Sequence, residues 1–143
     1  MSYSIFSSRC PLNIPRKCRN RRVYLVTYNG QNAHFHAATK NRLLCQNSIS
    51  ERTARLSVPY EGRPNDYGIL VMTEEELYTH GLKAHLAGWQ IGTHANGDVG
   101  IDTTLRVYER LQRENPRRDP RFHLEHCTVV NDGLIARASQ EPE

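Results

Sequence analysis

Two histidines occupy the settings in this sequence best suited to chemistry. His94 closes the run Trp89-Gln90-Ile91-Gly92-Thr93-His94 and is followed by Ala95-Asn96-Gly97-Asp98. His126 closes Arg121-Phe122-His123-Leu124-Glu125-His126 and is followed by Cys127. Each run reads as a buried strand, and an amphipathic stretch of about four turns lies between them. A parallel α/β barrel sets the C-terminal ends of successive strands side by side around one mouth, where two imidazoles suit a divalent metal such as zinc. The chemistry implied is metal-assisted hydrolysis.

A single histidine at a strand end reads most simply as a satisfied hydrogen-bonding group. Its recurrence one strand–helix unit later favours a pair of ligands, His94 and His126, because neutral imidazoles with the second nitrogen held by an acceptor are standard metal donors. Asp98 is placed to cap the helix that follows, leaving His94 at the rim. Alternation counted back from His126 puts Glu125 on the opposite face of its strand, as a partner for a helix residue, and turns His123 toward the helices as well. Cys127 reads as core filling, since a nucleophile would need a base that the sequence does not identify. No catalytic residue is assignable, and no cofactor beyond the metal is expected.

His34-Phe35-His36 has the H-x-H form of a ligand pair on a strand, with side chains on one face about 7 Å apart. Its flanks, Gln31-Asn32-Ala33 and Ala37-Ala38-Thr39, do not form an apolar strand, so the pair is not assigned. His80 and His85 fall on a helix and read as solvated or packing residues.

The elements that must position the two histidines are legible from residue 51 onward. Pro59 to Gly68 is dense in turn formers and reads as an ordered loop. Ile69 to Met72 reads as a short strand or an inward-packing segment. Thr73 and Glu76 form a capping box that opens a helix with acids in its first turn, and Gly88 closes it. Leu77, Gly81 and Ala84 give that helix a close-packing face. A second helix from about Val99 carries Ile101, Leu105, Tyr108 and Leu111 as one apolar stripe, and Asn115-Pro116 ends it. Asn131 could cap a third helix through Leu134, Ile135 and Ala138. Helix–strand–helix–strand–helix implies parallel strands and an α/β fold.

The 143 residues bound what can be built, because a complete eight-stranded barrel needs roughly 250. The expected architecture is therefore a partial (β/α) TIM-type barrel. No apolar stretch approaches the ~20 residues that cross a bilayer, so a soluble, cytoplasmic protein is expected. Cys10, Cys18, Cys45 and Cys127 show no C-x-x-C pairing and read as free thiols in a reducing compartment.

The net charge of +4 hides a division. Residues 1–50 carry eight Lys or Arg and no acid, whereas the remainder holds 11 basic and 15 acidic residues. The sequence accordingly divides into a basic segment over 1–47, with no assignable fold, and a partial α/β barrel domain over 48–143. Within the first, Arg21 to Gly30 reads as one strand closed by an Asn-Gly turn, with no evident second strand. Three readings of this segment stay open. It resembles an organelle transit peptide in composition, it could be a phosphate-contacting arm, or it is not the natural start of its domain.

The stretch from Ser48-Ile49-Ser50-Glu51-Arg52-Thr53-Ala54 through Pro59-Tyr60, the first helix, Gly88-Trp89-Gln90, His94-Ala95-Asn96-Gly97-Asp98 and Glu125-His126-Cys127 resembles the amidohydrolase superfamily. Within it the likeness is to the amidohydrolase family 3 branch, which includes enzymes resembling N-substituted formamide deformylases. It covers residues 48–143. The H-A-x-G-D and E-H elements are specific together and weak apart. The resemblance implies a metal-dependent hydrolase on a distorted α/β barrel, with His94 and His126 as metal ligands from neighbouring strands. It also implies that the metal acidifies water and polarises an amide carbonyl, with a later aspartate carrying the proton to the leaving amine.

The sequence departs from the family in three places. The early H-x-H strand should lie far upstream, and His34 and His36 are too close to be that motif in an unbroken chain. Arg42-Leu43-Leu44-Cys45-Gln46-Asn47-Ser48 stands where the family shows a lysine followed by Ala-Asp-Gly-Ser, and arginine cannot become a carboxylated bridging ligand. The terminal aspartate would follow Glu143. These departures imply truncation or a corrupted N-terminal half.

The leading expectation is thus a piece of a metal-dependent amidohydrolase that acts on a small amide-type substrate at a non-peptide C–N bond. It would be a weak metal binder on its own, prone to self-association through open sheet edges. The alternative is a small α/β module whose basic arm contacts nucleic acid, which the acidic remainder disfavours. A third, a short active hydrolase, would require His34, His36, His94 and His126 to converge.

Overall fold

The computed structural model describes residues 48–139, together with the backbone of four strands that precede them. In chain order the elements are β1 (Ser4–Phe6), β2 (Leu25–Asn29), β3 (Asn32–His36), β4 (Asn41–Leu44), α1 (Glu74–Leu86), β5 (Ile91–Ala95), α2 (Asp98–Glu114), β6 (His123–His126) and α3 (Asp132–Ser139). Four strands form one sheet in the order β1-β6-β5-β4, every neighbouring pair parallel. β2 and β3 form a separate antiparallel pair. The fold class is α/β, and among the described residues the sheet is open rather than closed into a barrel.

The helices form where local signals ask for them. Thr73 accepts from the Glu76 amide at 3.3 Å, and the Glu76 carboxylate accepts from the Thr73 amide at 2.8 Å, closing the capping box. α1 ends at Leu86, and Gly88 follows with φ of +78°, a left-handed conformation that costs glycine little. Arg117 finishes that terminus by donating to the carbonyls of Trp89 at 2.8 Å and Gly88 at 2.9 Å. The α2 stripe of Ile101, Leu105, Tyr108 and Leu111 is fully buried. It packs with Leu77 and Ala84 of α1 against Ile91, Ala95 and Leu124 of the sheet, and Leu134 and Ala138 of α3 close the core. Tyr108 fastens α2 to both strands, its hydroxyl 2.6 Å from Thr93 Oγ1 and donating to the His123 carbonyl at 2.9 Å.

The structure refines several expectations. The strand expected over 21–30 narrows to β2, and it has an antiparallel partner in β3, two residues separating the end of one from the start of the other. β3 is short and lacks apolar alternation, so only its pairing reveals it. The side of β6 that would have been an open edge carries β1, in a register from Ser4↔His123 to Phe6↔Glu125. Asp98 is the first residue of α2 rather than its cap, since Gly97 is the N-cap and makes no side-chain hydrogen bond. Asp98 accepts from the Ser57 amide at 3.0 Å and from its hydroxyl, which ties the preceding loop to the start of α2. Of the 69–72 segment, Met72 lies in the core and Leu70 packs against it, as an inward-packing segment would, while Ile69 makes a parallel bridge to Ala54 and is exposed.

Candidate metal centre

β5 and β6 lie side by side with His94 paired to Glu125 and Ala95 paired to His126. On the helix-facing side stand Thr93 and Leu124, both buried. Alternation therefore turns His94 and Glu125 together to the opposite side. This overturns the expectation that Glu125 and His123 face the helices. The periodicity has to be counted from Leu124, because the backbone at His126 leaves the strand pattern: its φ is +76°, and that of Cys127 is +47°. A non-glycine residue in this region costs on the order of 1–3 kcal/mol and persists only where its surroundings impose it.

Here the imposing contacts are visible. The Cys127 amide donates to the Ala95 carbonyl at 3.0 Å, and the Val129 amide donates to the Asn96 carbonyl at 2.8 Å. The chain leaving β6 is thereby laid across the end of β5, and the His126 ring swings beside His94. The two rings meet edge to face with centroids 4.5 Å apart and an interplanar angle of 72°.

One ligand atom from each of His94, Glu125 and His126 lies within 4.8 Å of the others, a spacing that could hold a metal ion. His94 and Glu125 are half-buried and His126 is exposed, so the cluster opens outward from the strand ends. Two imidazoles and one carboxylate suit a borderline divalent cation, and three protein donors is the composition of a site that keeps a position open for water or substrate. The cluster therefore fits a catalytic metal in number and donor type.

A polar shell supports it. Asn96, 7% exposed, sets its side-chain nitrogen 3.1 Å from His94 Nε2 and accepts from the Thr128 hydroxyl at 2.8 Å. Neither residue stood out in the sequence. Cys127 fills the core as expected, and burial pushes its thiol up to about 11, which keeps it protonated and unreactive. His85 is also a packing residue, stacked on Phe122 at 5.4 Å with Nε2 donating to the Asn115 carbonyl at 2.6 Å. His34 and His36 fall in β3, and their side chains, like Cys10, Cys18 and Cys45, lie outside the described residues. β4 runs beside β5 with Leu44 paired to His94 and Arg42 paired to Gly92.

Comparison with known proteins places the sequence in a family. The sequence pattern of the amidohydrolase family, of the family 3 type, matches residues 21–141, extending upstream of the stretch on which the motif resemblance rests. A Bacillus subtilis protein described as an amidohydrolase, YtcJ, is 29% identical over 134 residues, covering 94% of this chain and 24% of the relative. The Arabidopsis thaliana protein LONG AFTER FAR-RED 3 is 34% identical over 93 residues, covering 65% of this chain and 16% of its own length. The chain thus spans a quarter or less of these relatives. Two crystal structures described as uncharacterized metal-dependent hydrolases superpose on it. The one from Pyrococcus furiosus does so with TM-score 0.60 and 30% identity, over 68% of this chain and 19% of its own. The one from Pyrococcus horikoshii OT3 does so with TM-score 0.61 and 32% identity, over 73% and 21%. With the pattern covering most of its length and its sheet carrying a paired-histidine cluster, the chain belongs to the amidohydrolase family, in the family 3 branch.

Proposed function

We propose that the chain is an arc of a TIM-type barrel and that His94, Glu125 and His126 hold a divalent metal, zinc, for hydrolysis of a non-peptide C–N bond in a small amide-type substrate. The observation that carries this reading is the convergence of three donors at the ends of adjacent parallel strands, which is where α/β barrels place their chemistry. A bound ion of this kind supplies Lewis acidity toward a carbonyl oxygen and makes water a better nucleophile at neutral pH.

The residues divide the remaining work. His94 and His126 present neutral nitrogen donors, and Glu125 adds the negative charge that offsets a dication. The edge-to-face packing of the two rings limits their rotation, so less ordering is left to occur on binding. The tie between Ser57 and Asp98 holds the 54–57 loop against the turn that follows His94. Among the described residues the cluster has no further carboxylate to move a proton, so we infer that the chain by itself binds metal better than it turns over substrate.

Elemental analysis of the purified chain tests the reading, alongside a His94→Ala/His126→Ala variant. The expected result is near-stoichiometric zinc in the parent, lost in the variant, with any hydrolysis of N-acyl or formamide substrates lost in parallel. A folded parent chain with no zinc after metal supplementation would overturn it.

A further inference from the structure

We propose that Asn96 is a positioning residue that holds the metal-free His94 ring in its Nδ1–H form, and so sets how readily that ring takes a metal. The inference rests on the metal reading above only for its second half.

The argument begins with what a carboxamide can do. Its oxygen accepts and its nitrogen donates, and the two are not interchangeable once both ends have partners. Asn96 is buried, so its orientation is not left to solvent. Its Oδ1 takes the proton of the Thr128 hydroxyl at 2.8 Å. That contact leaves Nδ2 toward His94 Nε2 at 3.1 Å, as a donor to a lone pair. A neutral imidazole with a lone pair at Nε2 carries its proton at Nδ1. The Asn96 carbonyl, through the Val129 amide at 2.8 Å, fixes the same residue to the chain that follows His126. One side chain therefore reads both strand ends.

The consequence for metal entry is chemical. A ligating histidine keeps its lone pair for the metal and donates its other N–H to an acceptor, often a carboxylate. The arrangement seen here is the reverse at Nε2, because Asn96 offers that nitrogen a donor. Loading a metal requires the amide to leave Nε2 or to turn over and present Oδ1 to an Nε2–H. Turning over would cost the Thr128 hydroxyl its present acceptor, Oδ1.

Long-range proton–nitrogen NMR spectra of the metal-free chain, at a pH where imidazoles are neutral, report the His94 tautomer directly. The parent is expected to show Nδ1–H. Asn96→Asp replaces the donor with an anionic acceptor of the same shape and should invert the tautomer to Nε2–H. Thr128→Val, at an exposed position that leaves the core intact, should give a mixture, and Thr128→Ser should restore the parent form. In zinc competition titrations Asn96→Asp should bind about tenfold tighter than the parent, the scale of carboxylate–histidine partners. A parent showing Nε2–H, or an Asn96→Asp chain that stays Nδ1–H, would overturn the proposal. An inverted tautomer with unchanged zinc affinity would overturn its link to the metal. A parent that takes no zinc at all counts against the proposed function, while the spectra still decide the role of Asn96.

Discussion

At His126 the backbone turns out of the strand with φ of +76°, and this one torsion decides which side chains meet. Without it His126 would follow Leu124 into the core and only Glu125 would stand beside His94. With it, both do. Glu125 is therefore expected to be a donor, not a partner for a helix residue. Glu125→Gln keeps the shape and removes the charge, and should weaken zinc binding by about tenfold or more without changing the urea midpoint. Unchanged affinity in that variant would return Glu125 to a bystander. The sequence singled out His94 and His126 because their setting repeats, and the structure brings their two rings together. It misplaced Glu125 because alternation was counted from the residue that breaks it. The apolar Leu124 was the sounder origin, but nothing in the sequence announces a left-handed histidine. Asn96 and Thr128 were silent for another reason: they come together only through β5–β6 pairing.

The elements that carry local signals were legible, and those defined by pairing were not. The Thr73–Glu76 box, Gly88, the α2 stripe and the Asn131 cap are each satisfied within one element, the last by the Leu134 amide at 3.0 Å from Asn131 Oδ1. β1 depends on a distant partner and left no mark on the local pattern, and β3, although only two residues separate it from β2, shows no apolar alternation of its own. The turn from β5 to α2 lies between these cases. Glycine is an ordinary residue for such a turn, yet the reason for Gly97 lies in another segment: a Cβ there would fall 2.2 Å from the Arg55 carbonyl oxygen. Backbone cannot yield as a flexible side chain can. Gly97→Ala should push the 54–57 loop away from α2 and cost about 1–3 kcal/mol. It should lower the urea midpoint at unchanged slope and weaken zinc binding, since the displaced turn begins three residues after His94. A midpoint equal to the parent's would mean the loop is not held there.

Across the whole molecule, ion pairs lace the three helices together on the outside. Arg106 meets Glu74 at 3.0 Å, Arg110 meets Glu75 at 2.5 Å, and Arg137 bridges Asp102 and Glu109. These are partly exposed pairs and contribute little each, so the buried core between helices and sheet carries the stability. A buried histidine packs against that core, stacked on Phe122. His85 is 1% exposed, and burial holds its pKa below the ordinary 6.5, with the neighbouring Arg117 charge lowering it further against the Asn115 hydrogen bond that raises it. The sign follows from linkage: the unfolded chain takes up the proton at higher pH than the folded chain does. Stability is then full above the ordinary value and declines as pH falls through it, continuing until the folded-state value is reached. His80, on the same helix, is shifted the same way by partial burial and adds to the trend. Urea midpoints measured from about pH 8 down to about pH 5 should therefore fall, and His85→Gln should flatten that slope even if it lowers the midpoint throughout. A parent midpoint that holds steady across this range would show that His85 is protonated in place, and that the packing of α1 on Phe122 tolerates a charge.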